Sequence, residues 1–156
     1  MSIFLGGTTS SNELDDYEEG SWTPVLKDAA SGGNTYSGGG NWTTWANYIK
    51  VGSMVRVYLN AYGLSNTGMT GGNQIFIHGF PFQANGTQTT FCNMAYFDNV
   101  SNTQFGIFMQ LNNASSVGRI GKHVDNSNGN QSVNWGHIKT QGYFNFNFIL
   151  VYRTNS

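Results

Sequence analysis

The chain has 156 residues, enough for one domain that buries most of its surface without a disulfide or metal staple. Only 10% of the residues are charged, against about 25% in an ordinary domain, and the formal net charge is −1. Seven basic residues spread along the chain cannot build a phosphate footprint, so nucleic acid is excluded as a partner, and no run of about 18 apolar residues offers a membrane-spanning helix.

The first twelve residues, MSIFLGGTTSSN, are small, polar and Gly-bearing, and they read as a linker rather than a core element. No charged n-region with an apolar h-region opens the chain, so a secretory signal is not expected. Residues 13–19 then hold Glu13, Asp15, Asp16, Glu18 and Glu19, five of the eight acids. The rest of the chain carries three acids and seven bases, so the near-neutral total hides an acidic segment joined to a basic remainder. This cluster lacks the alternating spacing and central Gly of a calcium loop, and no metal is expected there. Residues 1–20 are expected as an attachment segment and 21–156 as the folded domain.

From Ser21 onward the pattern is strand and turn. Residues 53–62 alternate, with Val55, Val57, Leu59 and Ala61 on one face and Met54, Arg56, Tyr58, Asn60 and Tyr62 on the other. Residues 142–152 alternate too, with Phe144, Phe146, Phe148, Leu150 and Tyr152 together. The opposite face turns apolar at Ile149 and Val151, so this end is expected to be covered on both sides. Weaker strands are expected at 22–27, 42–51, 74–78, 89–97, 104–111, 117–123 and 133–139. Asn85-Gly86 and Asn128-Gly129 are tight-turn pairs, and Pro24 and Pro81 suit edges or strand ends. Good helix formers are scarce, while aromatics reach 15%. Eight or nine short strands without a helix predict an all-β fold, an antiparallel β-sandwich or jelly-roll-like domain.

Long loops are expected at 28–41, 65–72 and 112–130, where binding usually resides. Tyr36, Trp42 and Trp45 sit in or beside the Gly-rich first loop, and Trp135 follows a polar stretch. An aromatic face with Asn and Gln donors is the chemistry that reads a sugar: the ring covers the C–H face and planar amides reach the hydroxyls. Tyr36, Trp42, Trp45 and Trp135 are therefore the expected stacking platforms, with Asn34, Asn128 and Asn130 as polar readers. Cys92 lies in an apolar run with no local cation or His and reads as a small buried hydrophobe. His78, His123 and His137 stand alone, so no metal or other cofactor is expected. Five Asn-x-Ser/Thr sequons, at Asn41, Asn85, Asn99, Asn113 and Asn130, carry no weight without a secretion signal.

Phe4-Leu5-Gly6-Gly7 followed by the stretch Leu14-Asp15-Asp16-Tyr17-Glu18-Glu19-Gly20-Ser21-Trp22-Thr23-Pro24 resembles a segment recurring in tail-fibre and tail-spike proteins of tailed bacteriophages. The usual form there is LDDYEEGTWTP, from which only Ser21 departs. The Tyr-x-Lys-x-Gly-x-x-Val-x-Val pattern that follows in that family is matched by Tyr48, Lys50, Gly52, Val55 and Val57. Gly79-Phe80-Pro81-Phe82 looks like its Gly-Leu-Pro-Phe turn, and residues 142–152 resemble its aromatic final strand. Residues 99–141 match no motif, and receptor specificity would diverge there.

The resemblance implies a distal domain on the virion's tail fibre. It would follow an upstream shaft, form a homotrimer and touch a bacterial surface polysaccharide or an outer-membrane protein. Three-fold repetition would raise weak binding by roughly 10²–10⁴. Asp15, Asp16, Glu18 and Glu19 are expected to organise the junction with the shaft, and Trp22 and Pro24 to anchor the first strand. The expectation is a non-enzymatic receptor-binding domain. One rival is a polysaccharide depolymerase using Asp28, Asp98 or Asp125, although the long repeat of such spikes is missing. The other rival is a purely structural trimerisation or capping module.

Overall fold

The structure, a computed structural model, describes residues 3–4, 13–14, 16–38, 43–101, 106–123, 129–138 and 143–155. Among them run thirteen strands: β1 (Ile3–Phe4), β2 (Glu13–Leu14), β3 (Tyr17–Ser21), β4 (Val25–Lys27), β5 (Thr43–Val51), β6 (Met54–Leu64), β7 (Phe76–His78), β8 (Thr90–Asn93), β9 (Tyr96–Phe97), β10 (Gly106–Leu111), β11 (Gly118–His123), β12 (Asn130–Ser132) and β13 (Phe144–Arg153). Short β1 and β2 pair with each other, and the others form two antiparallel sheets. One sheet has the order β3-β5-β6-β13-β9. The other has the order β4-β7-β11-β10-β8, with β12 beside β7 on the same edge of β11. The two sheets pack as a β-sandwich.

Period-2 alternation makes the core. In β6, Val55, Val57, Leu59 and Ala61 are fully buried, and β13 aligns Tyr152, Leu150, Phe148 and Phe146 directly opposite them. The second sheet answers with Ile77, Ile107, Met109, Leu111 and Ile120. Cys92 packs against this core, and burial pushes its thiol up to about 11, against a smaller opposing pull from its hydrogen bond with Met109. That keeps it neutral at physiological pH, as a small hydrophobe should be.

Three sequence expectations change here. Residues 17–20 are not part of a linker: they form most of β3, the edge strand paired to β5. An edge strand with charged residues at Glu18 and Glu19 resists pairing with another chain, so acidity and strand structure are compatible. Residues 133–139 are not one strand, because Trp135–His137 winds a single 3-10 turn after the shorter β12. Finally, Ile149 and Val151 are 48% and 46% exposed, so nothing among the described residues covers the outer end of β13.

Residues 16–24, 48–50 and 79–82 meet at one corner of the sandwich. Register sets Glu18 opposite Lys50 and Gly20 opposite Tyr48. Lys50, almost wholly buried, forms an ion pair with Asp16 at 2.5 Å and lies 5.8 Å from the Phe82 ring centre. The Tyr48 hydroxyl donates to Glu18, and a side chain at Gly20 would crowd that tyrosine ring at 3.0 Å. Trp22, buried, stacks on Phe80 at 5.0 Å and donates its indole N–H to the Tyr58 carbonyl. Gly79 has φ +86°, and a Cβ there would sit 2.3 Å from the Thr23 carbonyl oxygen, so glycine is needed at this turn. Pro24 is buried beside it. Asp15 lies outside the described residues.

Candidate functional site

The outer face of the five-stranded sheet is the place where large aromatic side chains meet solvent. Alternation that sends Val57 and Leu59 inward sends Tyr58, Asn60 and Tyr62 outward. Register then builds rows across the strands. Trp45, Asn60, Asn147 and Tyr96 lie side by side on β5, β6, β13 and β9. Three strand spacings of 4.7–4.9 Å separate the row's two aromatic ends by roughly 14 Å. Trp45 is 56% exposed and meets Tyr62 edge to face at 5.8 Å. Tyr62, Tyr96 and Tyr143 are also exposed.

The amides between these rings are partly fixed. Asn145 donates its backbone N–H and its side-chain Nδ2 to the Asp98 carboxylate, while its own Oδ1 accepts from Gly63. Tyr96 donates its hydroxyl to the same carboxylate, and this hydrogen bond, together with the Asp98 charge, raises the tyrosine's pKa. Asn60 is different: its Oδ1 is buried and has no hydrogen-bond donor among the described residues. The site is therefore two aromatic ends with amides between them.

The other half of this face mixes apolar and charged side chains. Tyr17, Val51, Met54 and Arg153 form one row, and Glu19, Ile49, Arg56 and Val151 the next. Tyr17, Val51, Met54, Ile149 and Val151 are all exposed there, interleaved with Glu19, Arg56 and Arg153.

The expected site residues do not converge. Trp45 is on the face just described. Trp42 and Asn128 lie outside the described residues. Tyr36 and Trp135 are corrected: they are 7% and 0% exposed, with their rings 5.5 Å apart in the core. The Trp135 indole donates to the Lys27 carbonyl and the Tyr36 hydroxyl bonds Ser65, so both rings hold loops together and neither can stack on a ligand. Small residues let the loops close over them: Gly136 donates to the Gly71 carbonyl at 2.7 Å, and a Cβ on Gly136 would crowd that oxygen at 2.9 Å. Asn34 is corrected as well, because its backbone N–H and its amide both donate to Asp28. Asn130 is exposed, but on the opposite sheet, where its Oδ1 meets His123 Nδ1.

The candidate acids are engaged. Asp28 accepts from Asn34 and from the Thr70 N–H. Burial pushes its pKa up, but these hydrogen bonds outweigh it and hold the carboxyl below its ordinary value. Asp98 serves the β13 bulge and Tyr96, while Asp125 lies outside the described residues. Sequence reasoning missed Tyr62, Tyr96, Asn60 and Asn147. The outward set of residues 53–62 was legible, but only the pairing register reveals which neighbours it acquires. No family model matches this chain, and no curated protein matches it.

Proposed function

We propose that this chain is the receptor-binding tip domain of a bacteriophage tail fibre, acting without catalysis, and that it attaches to a bacterial surface polysaccharide. The carrying observation is the exposed Trp45–Tyr62 pair beside the Asn60–Asn147–Tyr96 row. A sugar ring stacks its C–H face on an aromatic ring while planar amides bond its hydroxyls, and this row supplies both along a length suited to a short oligosaccharide. The other half of the same face supports assembly as a homotrimer, since a contact between subunits would remove Tyr17, Met54, Ile149 and Val151 from water and could pair Glu19 with Arg56 or Arg153 of a neighbouring copy.

Labelled protein on a panel of bacterial strains, with and without periodate oxidation of surface sugars, tests the reading. Strain-selective binding that periodate abolishes and that Trp45→Ala or Tyr62→Ala weakens at least tenfold is expected. Binding that survives periodate would move the receptor to an outer-membrane protein. Binding indifferent to both substitutions would discard the face as the site, and absence of binding to every strain would favour a structural cap. Light scattering should give three times the 17.1 kDa chain mass, and a monomer would refute the assembly.

A further inference from the structure

The opposite side of the sandwich carries a second, chemically different feature. None of the six strands of that sheet contains Asp or Glu, whereas Lys27, His78, Arg119 and His123 all lie in them. Register aligns Phe91, Gln110, Arg119, Phe76 and Lys27 in one row, with Asn93, Phe108, Gly121 and Ser132 in a parallel row. Between the rows runs a groove of about 260 Å³, near the lower edge of ligand-pocket sizes, lined also by Gln74 and Asn130.

Glycine makes this groove. A Cβ on Gly121 would lie 2.1 Å from the Phe108 ring, so the missing side chain lets that ring lie flat across β11 as a floor. Phe91, 55% exposed, forms a wall with its ring 6.0 Å from Phe108. Arg119 is held beside them by a neutral group. Gln110 Oε1 accepts from both Nε and Nη2 of Arg119, at 3.0 and 2.7 Å. Gln110 is itself buried and fixed by donating its Nε2 to Asn112. Two of the guanidinium's five N–H groups are thereby used for aim, and the remaining three have no carboxylate partner among the described residues. A rigid cation that, among the described residues, is held by an amide alone is prepared for an oxyanion, which guanidinium binds through paired N–H groups.

We propose that this groove binds the carboxylate of an acidic sugar, with Arg119 gripping the carboxylate and Phe108 and Phe91 packing against the ring. One cation among aromatic and amide groups suits a singly charged ring better than a polyphosphate, which calls for several cations. Gln74 donates its Nε2 to the Ile120 carbonyl, leaving its Oε1 to accept from a ligand hydroxyl, and Ser132 adds a hydroxyl on the same edge of β11. The site shares only its ligand class with the aromatic face across the molecule, and no residue is common to both.

The test is a ¹H–¹⁵N NMR titration of the full chain with sodium D-glucuronate, D-glucose and inorganic phosphate in separate arms. Glucuronate should shift the Arg119 Nε–H and Gln110 Nε2 signals saturably at millimolar concentration, with glucose at least tenfold weaker. Arg119→Gln should weaken glucuronate at least tenfold. Gln110→Glu, which supplies Arg119 with an internal carboxylate of nearly unchanged shape, should do the same with the rest of the spectrum intact. Trp45→Ala should leave the titration unchanged, which separates this site from the proposed receptor face. Equal response to glucose and glucuronate, a phosphate response at least as strong, retention of binding in either variant, or no saturable shift at these signals would each overturn the proposal.

Discussion

Trp135→Ala separates a structural tryptophan from a ligand platform. The indole is fully buried, sits 5.5 Å from Tyr36 and donates to the Lys27 carbonyl. Truncating a buried Trp to Ala costs about 3–5 kcal/mol, and losing the hydrogen bond adds about 1 kcal/mol. The total, about 4–6 kcal/mol, corresponds to a fall in Tm of roughly 8–24 °C for a domain of this size. Trp45→Ala removes an exposed ring and one edge-to-face contact worth about 0.5–1.5 kcal/mol, so its Tm should fall by no more than about 6 °C. Thermal melts followed by circular dichroism at one fixed protein concentration read both values. If Trp135→Ala melted within about 4 °C of the parent, or if Trp45→Ala lost as much as Trp135→Ala, the assignment of core and platform would be wrong.

Four further outcomes follow from local geometry. Acid should destabilise the fold through Asp28: its folded pKa is depressed, so its stabilisation is complete above the ordinary value of 3.8 and disappears as pH falls through the lower folded value. Asp28→Asn should flatten the stability-versus-pH curve in that window, and an unchanged curve would refute it. His137 behaves similarly at higher pH. Burial, followed by the Lys122 charge, lowers its pKa below 6.5, and its Nδ1 accepts from the Asn134 N–H, so stability should decline as pH falls through and below 6.5. A His137→Gln variant that kept the full slope, read by urea unfolding at several pH values, would contradict this. Asp16→Asn should cost about 1–2 kcal/mol by leaving the Lys50 ammonium buried without its partner, whereas Lys50→Met should cost less than about 1 kcal/mol because it removes the charge and keeps the stem. Equal losses in chemical denaturation would argue against that account. Gly79→Ala should destabilise by at least about 1–3 kcal/mol, since it forces a side chain into positive φ and against Thr23.

Where a strand has one buried face, the alphabet of the chain declares it. Met54–Leu64 and Phe144–Arg153 were legible because each apolar residue in alternation had the same task. Tyr17–Ser21 was not, because as an edge strand it buries almost nothing and its side chains carry no period-2 signal. Val133 and Trp135 imitated alternation, but Asn134 donates to His137 and the chain turns there into a 3-10 turn. Tyr36 and Trp135 misled for a related reason. Their sequence neighbours are polar, while their spatial neighbours come from loops tens of residues away. Burial set by long-range packing leaves no trace in local composition.

Gly121 shows what such a trace can look like when it exists. A glycine inside a strand removes a side chain from the pleat, and something must occupy the vacated surface. Here that occupant is the Phe108 ring, and the groove beside Arg119 exists because the ring lies there. Gly20 leaves room for Tyr48 at the corner where Asp16, Lys50 and Phe82 meet, but there the charged groups already pair with one another and the result is structural. The two glycines differ in what surrounds the ring they admit. Tyr48 packs against Phe82 at 5.4 Å and is tied to the Glu18 carboxylate, whereas Phe108 lines a groove with a cation prepared at its edge. Gly20 and Gly121 each mark a place where an aromatic ring crosses the sheet, and the electrostatics around that ring decide whether the place serves the fold or a ligand.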